Sequence, residues 1–332
     1  MVRLLTFPLA IMLAFSAFGQ EREIETPIKY GEYGVPWAII KQDGLLGFID
    51  KDGNQVVAPK YDEIEKFGEV GLPWAKVSKD GLIGFIDAQG NEIVPTIYDD
   101  YGEFGEYELP WLTIVKDSKK GFVDTEGREV VAPIYDEFET FANKGVPMMI
   151  AIKKGLKGFI DNDGNEVVPA RYDEIGKLGE KGVPWLMVEK EGRFGFLDIE
   201  GKEIVAPEYD KIHDHAEMGI AWLLVRKDGL YGFIDKYGRE IVAPQYSTIG
   251  KFGGHGRPYW ALVEKNELFG FIDPSGREVV KPQYHTIKRF GRKGVPMAMV
   301  MKNGLYGLID RNGQEVIGLN YLSSNDLQDS FR

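Results

Sequence analysis

The chain has 332 residues, 43% of them hydrophobic and 12% aromatic, which excludes a disordered chain. It has no Cys, so disulfides, thiolate metal sites, cysteine nucleophiles and thioether lipid anchors are all excluded. A net charge of -12 argues against a general nucleic-acid binder.

Residues 1–20 read MVRLLTFPLAIMLAFSAFGQ, with Arg3 the one charge before an apolar run that ends in small residues. This pattern predicts a signal peptide over 1–19, and with it an exported chain in the periplasm, at the cell surface or outside the cell. No later stretch is apolar enough to span a membrane, so no insertion is expected after cleavage. Residues 20–36 read as a partial repeat or cap, because Pro27-Ile28-Lys29-Tyr30 looks like the end of a strand.

From Trp37 to Leu322 the chain is an internal repeat. A Gly-(Phe/Leu)-(Ile/Val/Leu)-Asp string starts at Gly47, Gly84, Gly121, Gly158, Gly195, Gly232, Gly270 and Gly307. A Trp or Met precedes each Gly by ten residues, and a Tyr follows it by fourteen. Eight copies of about 37 residues therefore replace the two domains that length alone suggests.

Each copy predicts three short strands. Strand A follows the Trp or Met, strand B is the Gly-Phe-Ile-Asp segment, and strand C is the Glu-Val-Val-x-Pro-x-Tyr segment. Asp43-Gly44, Asp80-Gly81, Asp228-Gly229 and Asn303-Gly304 predict tight A–B hairpins, whose turn residues need positive φ. Asp-x-x-Gly predicts the B–C turn. The Pro in strand C, as at Pro59, Pro133 and Pro282, places that strand at an edge or a bend. One face of strand A is apolar throughout; the face bearing the Trp is mixed and reads as partly solvated. The predicted fold is all-β, eight three-stranded meanders in an open solenoid-like array, with an eight-bladed propeller as the alternative. Residues 323–332 read as a polar C-terminal tail.

The segment Gly84-Phe85-Ile86-Asp87 through Pro95 and Tyr98, and its equivalent from Gly232 through Pro244 to Tyr246, resembles the bacterial WG-repeat family. The residue before the Gly departs from the aromatic of the family's name at several copies, as at Leu46, Lys120 and Lys157. The resemblance implies a β-repeat binding or surface module without established catalytic residues.

Four features are candidates for function. Trp37, Trp74, Trp111, Trp185, Trp222 and Trp260 share one strand position, and an aligned Trp stripe would suit sugar rings or Pro-rich peptides; the competing role is packing between units. The Asp column from Asp50 to Asp310 reads as turn chemistry, with Asp161-x-Asp163-Gly164 only faintly like a calcium loop. An Asp follows the Tyr in the first five copies (Asp62, Asp99, Asp136, Asp173, Asp210) and is replaced by Ser247, His285 and Leu322 in the last three. This is part of a wider gradient: residues 20–200 hold 36 acidic and 21 basic side chains, residues 201–332 hold 16 and 18. It would suit a cationic partner or a head-to-tail contact. His213-Asp214-His215 is a conceivable surface metal site that no other copy repeats. The segment Lys251 to Arg257 is the one place where broken consensus suggests a polar pocket. No phosphate loop, zincin motif or nucleophile elbow occurs, so no catalytic residue, metal or cofactor is assigned. The expected function is an exported, non-catalytic scaffold for protein or peptide partners, or alternatively a carbohydrate binder using the Trp stripe.

Overall fold

A computed structural model describes residues 12–15, 21–24, 28–140, 148–256, 258–291 and 296–329. The expected leader lies outside the described residues, apart from the backbone of Met12–Phe15. The chain divides into two compact units, Met1–Phe141 with Pro147–Ala170, and Ala142–Val146 with Arg171–Arg332. The division falls within the strand Glu166–Tyr172, so it follows no change in the repeat.

All regular structure among the described residues is β except one terminal helix. Eight antiparallel sheets follow one another in chain order among the described residues, each a meander. The expected tandem, solenoid-like repetition of A, B and C strands is present.

In the second copy, strand A is Ala75–Lys79, strand B is Leu82–Ile86 and strand C is Glu92–Tyr98. A fourth, short strand precedes them, Glu63–Ile64, paired with strand A. Every later sheet has this extra strand, drawn from the residues just after the previous copy's Tyr. The sheet is therefore offset from the sequence repeat, and its first strand belongs to the copy before. At the amino end, Ile28 and Tyr30 are exposed and outside any strand; Glu21–Ile24 instead pairs with Ala38–Gln42.

Strand B is central, and strand C is an edge, which is where a Pro without an N–H does no harm. Between B and C the register slips: Ile83 faces Tyr98 while Phe85 faces Val94, so strand C bulges opposite Gly84. A Cβ on Gly84 would collide with the Val94 carbonyl oxygen, and all eight strand-B glycines meet the facing strand in this way. These glycines mark a close backbone approach rather than a hairpin. The A–B hairpins do need positive φ, as at Asp80 (53°) and Gly81 (80°). Two copies hold that geometry without Gly, at Ser118 (φ 59°) and Glu267 (φ 62°).

Burial is completed between neighbours. Trp37, Phe48, Val57 and Tyr61 pack with Ala75, Val77 and Ile86 of the following copy. In the second unit Trp185, Phe196, Val205 and Tyr209 pack in the same way with Leu223, Val225 and Ile234. Both faces of an internal sheet are thus covered, and the Trp-bearing face, read from sequence as partly solvated, is core at its Trp end. At the carboxyl end the polar tail starts as a short helix, Ser324–Asp329. Ser323 Oγ accepts the Asp326 N–H at 3.1 Å as its cap, and Leu327 is fully buried.

Replacing Ser118 or Glu267 by Gly relieves a left-handed L-residue and should stabilise the protein by about 1 kcal/mol. Gly232→Ala should destabilise it by about 2 kcal/mol or more, because the displaced atom is backbone. Denaturant midpoints of the three variants check both signs.

Candidate functional site

The six column Trp side chains are placed by strand A onto the Phe of strand B. Ring centroids lie 5.2 Å apart for Trp185 and Phe196, and 5.8 Å apart for Trp74 and Phe85. Trp37, Trp74, Trp111, Trp185 and Trp260 are buried, and Trp222 is partly buried. Their faces are spent on Phe and on the next sheet, so they form no open aromatic platform for a sugar.

The Asp column closes the B–C turns. Asp161 Oδ1 accepts the N–H groups of Asp163 and Asn165 at 3.0 and 2.8 Å, while Gly164 donates to the Asp161 carbonyl at 3.1 Å. All eight copies repeat this two-bond pattern. Partial burial opposes ionisation of Asp161, but the hydrogen bonds from Asn165 and Asp163 outweigh it and hold the carboxyl below its ordinary range.

The acidic residue after the Tyr has a similar task one copy further on. Asp62 Oδ2 accepts the N–H of Asp80, the first left-handed residue of the next A–B hairpin, at 2.7 Å. Asp99 and Asp173 do the same for Asp117 and Glu191, each at 2.6 Å, while Asp210 accepts from the second residue of its hairpin, Gly229, at 2.9 Å. His285 Nδ1 takes over the role weakly, accepting from Asn303 at 3.4 Å. Part of the acidic excess at the front of the chain is therefore hairpin capping.

A further column was not singled out in the sequence. The buried Tyr that ends strand C donates to the Glu that starts strand C of the next copy, 31 or 32 residues on. The distances are 2.9 Å for Tyr61–Glu92 and Tyr135–Glu166, and 2.8 Å for Tyr246–Glu278. Burial, then the acceptor Glu, pushes the Tyr98 and Tyr135 hydroxyls up to about 12. The regular spacing of Tyr and Glu was the available signal, but side-chain pairing across copies cannot be seen in a linear repeat.

The histidines do not converge on a metal centre. His213 Nδ1 lies 3.2 Å from Glu217 Oε2, and the Nε2 atoms of His213 and His215 are enclosed without a partner among the described residues. No group of three or more metal-ligating side chains occurs among those residues. The 251–257 segment forms no polar pocket in its described part: Phe252 is core, and His255 packs edge-on against Phe271. Burial, then Arg289, pushes the His255 imidazole down. Arg257 lies outside the described residues.

Two open concave features lie between consecutive sheets. One, of about 430 Å³, is bounded by strand C of the fourth copy and the A–B hairpin of the fifth, with Arg171, Tyr172, Lys190, Arg193 and Glu203 in its wall. Another, of about 460 Å³, has the same position between the sixth and seventh copies, where Gln245, Ser247, Lys265 and Asn266 line it. The frame is constant, while the lining changes from copy to copy.

This stacking of short β-meanders, each completed by its neighbour, defines a tandem β-repeat protein. A family model described as "WG containing repeat" matches residues 47–82, 83–118, 121–156, 158–193, 194–231, 231–268 and 269–306, and the chain belongs to that family. No curated protein matches the chain. Among solved structures it is similar to PorZ, a bacterial surface component of the type-IX secretion system of Porphyromonas gingivalis, at 11% identity and a TM-score of 0.22, over 86% of this chain and 43% of that one. It is also similar to the extracellular domain of a putative one-component system from B. thetaiotaomicron, at 8% identity and a TM-score of 0.22, over 93% and 51%. A eukaryotic initiation factor is matched at 10% identity and a TM-score of 0.25, over 91% and 89%. The chain thus spans less than half the length of the PorZ chain it matches. No helix among the described residues is long and apolar enough to cross a membrane.

Trp185→Ala should cost about 3–5 kcal/mol, seen as a lowered denaturant midpoint, because it opens a cavity shared by two sheets. The Tyr column predicts an alkaline transition. A phenol whose folded pKa lies above its ordinary value near 10 contributes stability that is complete below pH 10. That contribution is lost as pH rises through about 12. Denaturant stability should therefore fall across this window in step with tyrosinate absorbance, and Tyr135→Phe should shrink the drop.

Proposed function

We propose that the protein is an exported, non-catalytic β-repeat scaffold that binds protein or peptide partners at the cell envelope. The observation that carries this reading is the pair of clefts between sheets, in which one backbone frame presents different side chains. The residue before the buried Tyr runs Lys60, Ile97, Ile134, Arg171, Glu208, Gln245, Gln283, while the Tyr beside it is kept. Repeat proteins recognise extended ligands in this manner, with invariant positions holding the stack and variable ones meeting the partner. The apolar leader over 1–19 supports export, and the burial of the Trp column favours peptide over sugar.

The test is affinity capture of envelope components on the leader-free chain at low and high salt, combined with fractionation of the native protein. The expected result is a protein partner retained by the wild type, weakened by salt where charged clefts contribute, and a native amino terminus close to Gln20. Recovery of the native protein in the cytosol, or retention of polysaccharide and no protein, would overturn the proposal.

A further inference from the structure

The cleft between the fourth and fifth copies differs from the three that follow it in one chemical respect. In the first three copies the residue before the Tyr is Lys60, Ile97 or Ile134, and from the fifth to the seventh it is an acceptor for the Lys that ends strand A of the next copy. Glu208 binds Lys227 at 2.8 Å, Gln245 binds Lys265 at 2.7 Å, and Gln283 binds Lys302 at 3.1 Å. In the fourth copy that acceptor is replaced by Arg171, which can only donate. The Lys190 ammonium consequently has no hydrogen-bond or ion-pair partner among the described residues. Arg193 adds a third cation where the later copies have Leu230, Leu268 and Leu305. It is held in place by Asp210 and by Asp228 at 2.9 Å. Arg171 is steadied by Tyr172, whose hydroxyl accepts from it at 2.8 Å, and it lies 3.5 Å from Glu203.

We infer that this cleft binds a carboxylate of a partner, such as an Asp or Glu side chain or the free carboxyl end of an acidic peptide. The neighbouring copy shows what fits the slot, since there the Glu208 carboxylate sits on the equivalent lysine. A carboxylate from outside would restore that arrangement, taking the Lys190 ammonium as a point charge and the Arg171 guanidinium as a planar fork. Glu191 and Glu203 stand in the same wall and Asp210 and Asp228 already hold Arg193, so the slot suits one carboxylate better than a polyanion. The chain as a whole is at -12, which repels acidic ligands at long range, so recognition here is local. The inference rests on the peptide-binding reading and supplies the chemistry of one of its clefts.

The experiment is calorimetric titration of the leader-free chain with an acidic peptide blocked at both ends, alongside the same peptide with Gln in place of each Glu. Inorganic phosphate is titrated in parallel. Arg171→Glu places the slot's own carboxylate opposite Lys190, as in the next copy, and should weaken acidic-peptide binding at least tenfold while leaving the thermal midpoint at or above that of the wild type. Lys190→Gln should also weaken binding, and Lys227→Gln, in the neighbouring copy, should not. Equal binding of the Gln peptide, an Arg171→Glu affinity within twofold of the wild type, or saturation by phosphate and not by peptide would each overturn the assignment. Partner capture that survives Arg171→Glu would spare the scaffold reading while placing the contact in another cleft.

Discussion

No sheet of this protein can bury its own faces, and this dictates nearly everything else. A meander of three five-to-seven-residue strands and one leading strand of two to five residues has no layer of its own to pack against. The Trp, Phe, Val and Tyr of one copy become a core only when strand A of the next is laid over them, as with Trp74, Phe85, Val94 and Tyr98 under Leu112, Ile114 and Val123. A large aromatic at the Trp position, a Phe with no exposed surface and a pair of small or branched residues on the facing strand are three parts of one contact. Met148 can stand where the Trp stands because the position asks for volume and not for an aromatic face.

Close stacking then fixes the polar columns. Strand C has to bulge to bring its Tyr over the sheet, and the bulge leaves no room for a side chain on strand B, which is why Gly recurs there. The Tyr hydroxyl is carried into a half-buried position, where it needs an acceptor, and the first residue of the next strand C supplies one. The Asp after the Tyr reaches across to a hairpin tip whose N–H points away from any strand partner. Each copy therefore hands one phenol and one carboxylate forward to the next, and the covalent repeat is also a hydrogen-bonding repeat.

Much of this was legible in the sequence. Three strands, their order, the hairpin type and the edge position of strand C all follow from spacing and from the chemistry of Gly, Asp and Pro. The Asp-x-x-Gly turn could be read because its hydrogen bonds run between residues two to four apart. The relations that could not be read are those between copies. The short strand, as at Glu63–Ile64, is two polar-flanked residues with no periodicity of its own, and it is a strand because Val77 and Ser78 lie beside it. The solvated reading of the Trp face came from the polar residues at the hairpin end, Lys41 and Glu189, and strand A is long enough to be buried at one end and wet at the other. The acidic front reads as a surface property in a linear count, which cannot distinguish a free carboxylate from one that caps a turn eighteen residues away, as Asp62 does.

The division between frame and lining has a physical basis in burial. Residues that face the next sheet are constrained by volume, since a change of one methylene is felt by two copies at once. The residue before the Tyr and the Lys at the end of strand A project from the rim, where exchanging Glu for Gln or Arg alters only a solvent-exposed pairing of small energetic weight. Stability is thus nearly indifferent to which residue sits there, while the chemistry offered to a ligand changes completely. A stack built on inaccessible contacts leaves its rim free to vary, and on that rim Arg171 and Lys190 set two cations where the next copy has a carboxylate on a lysine.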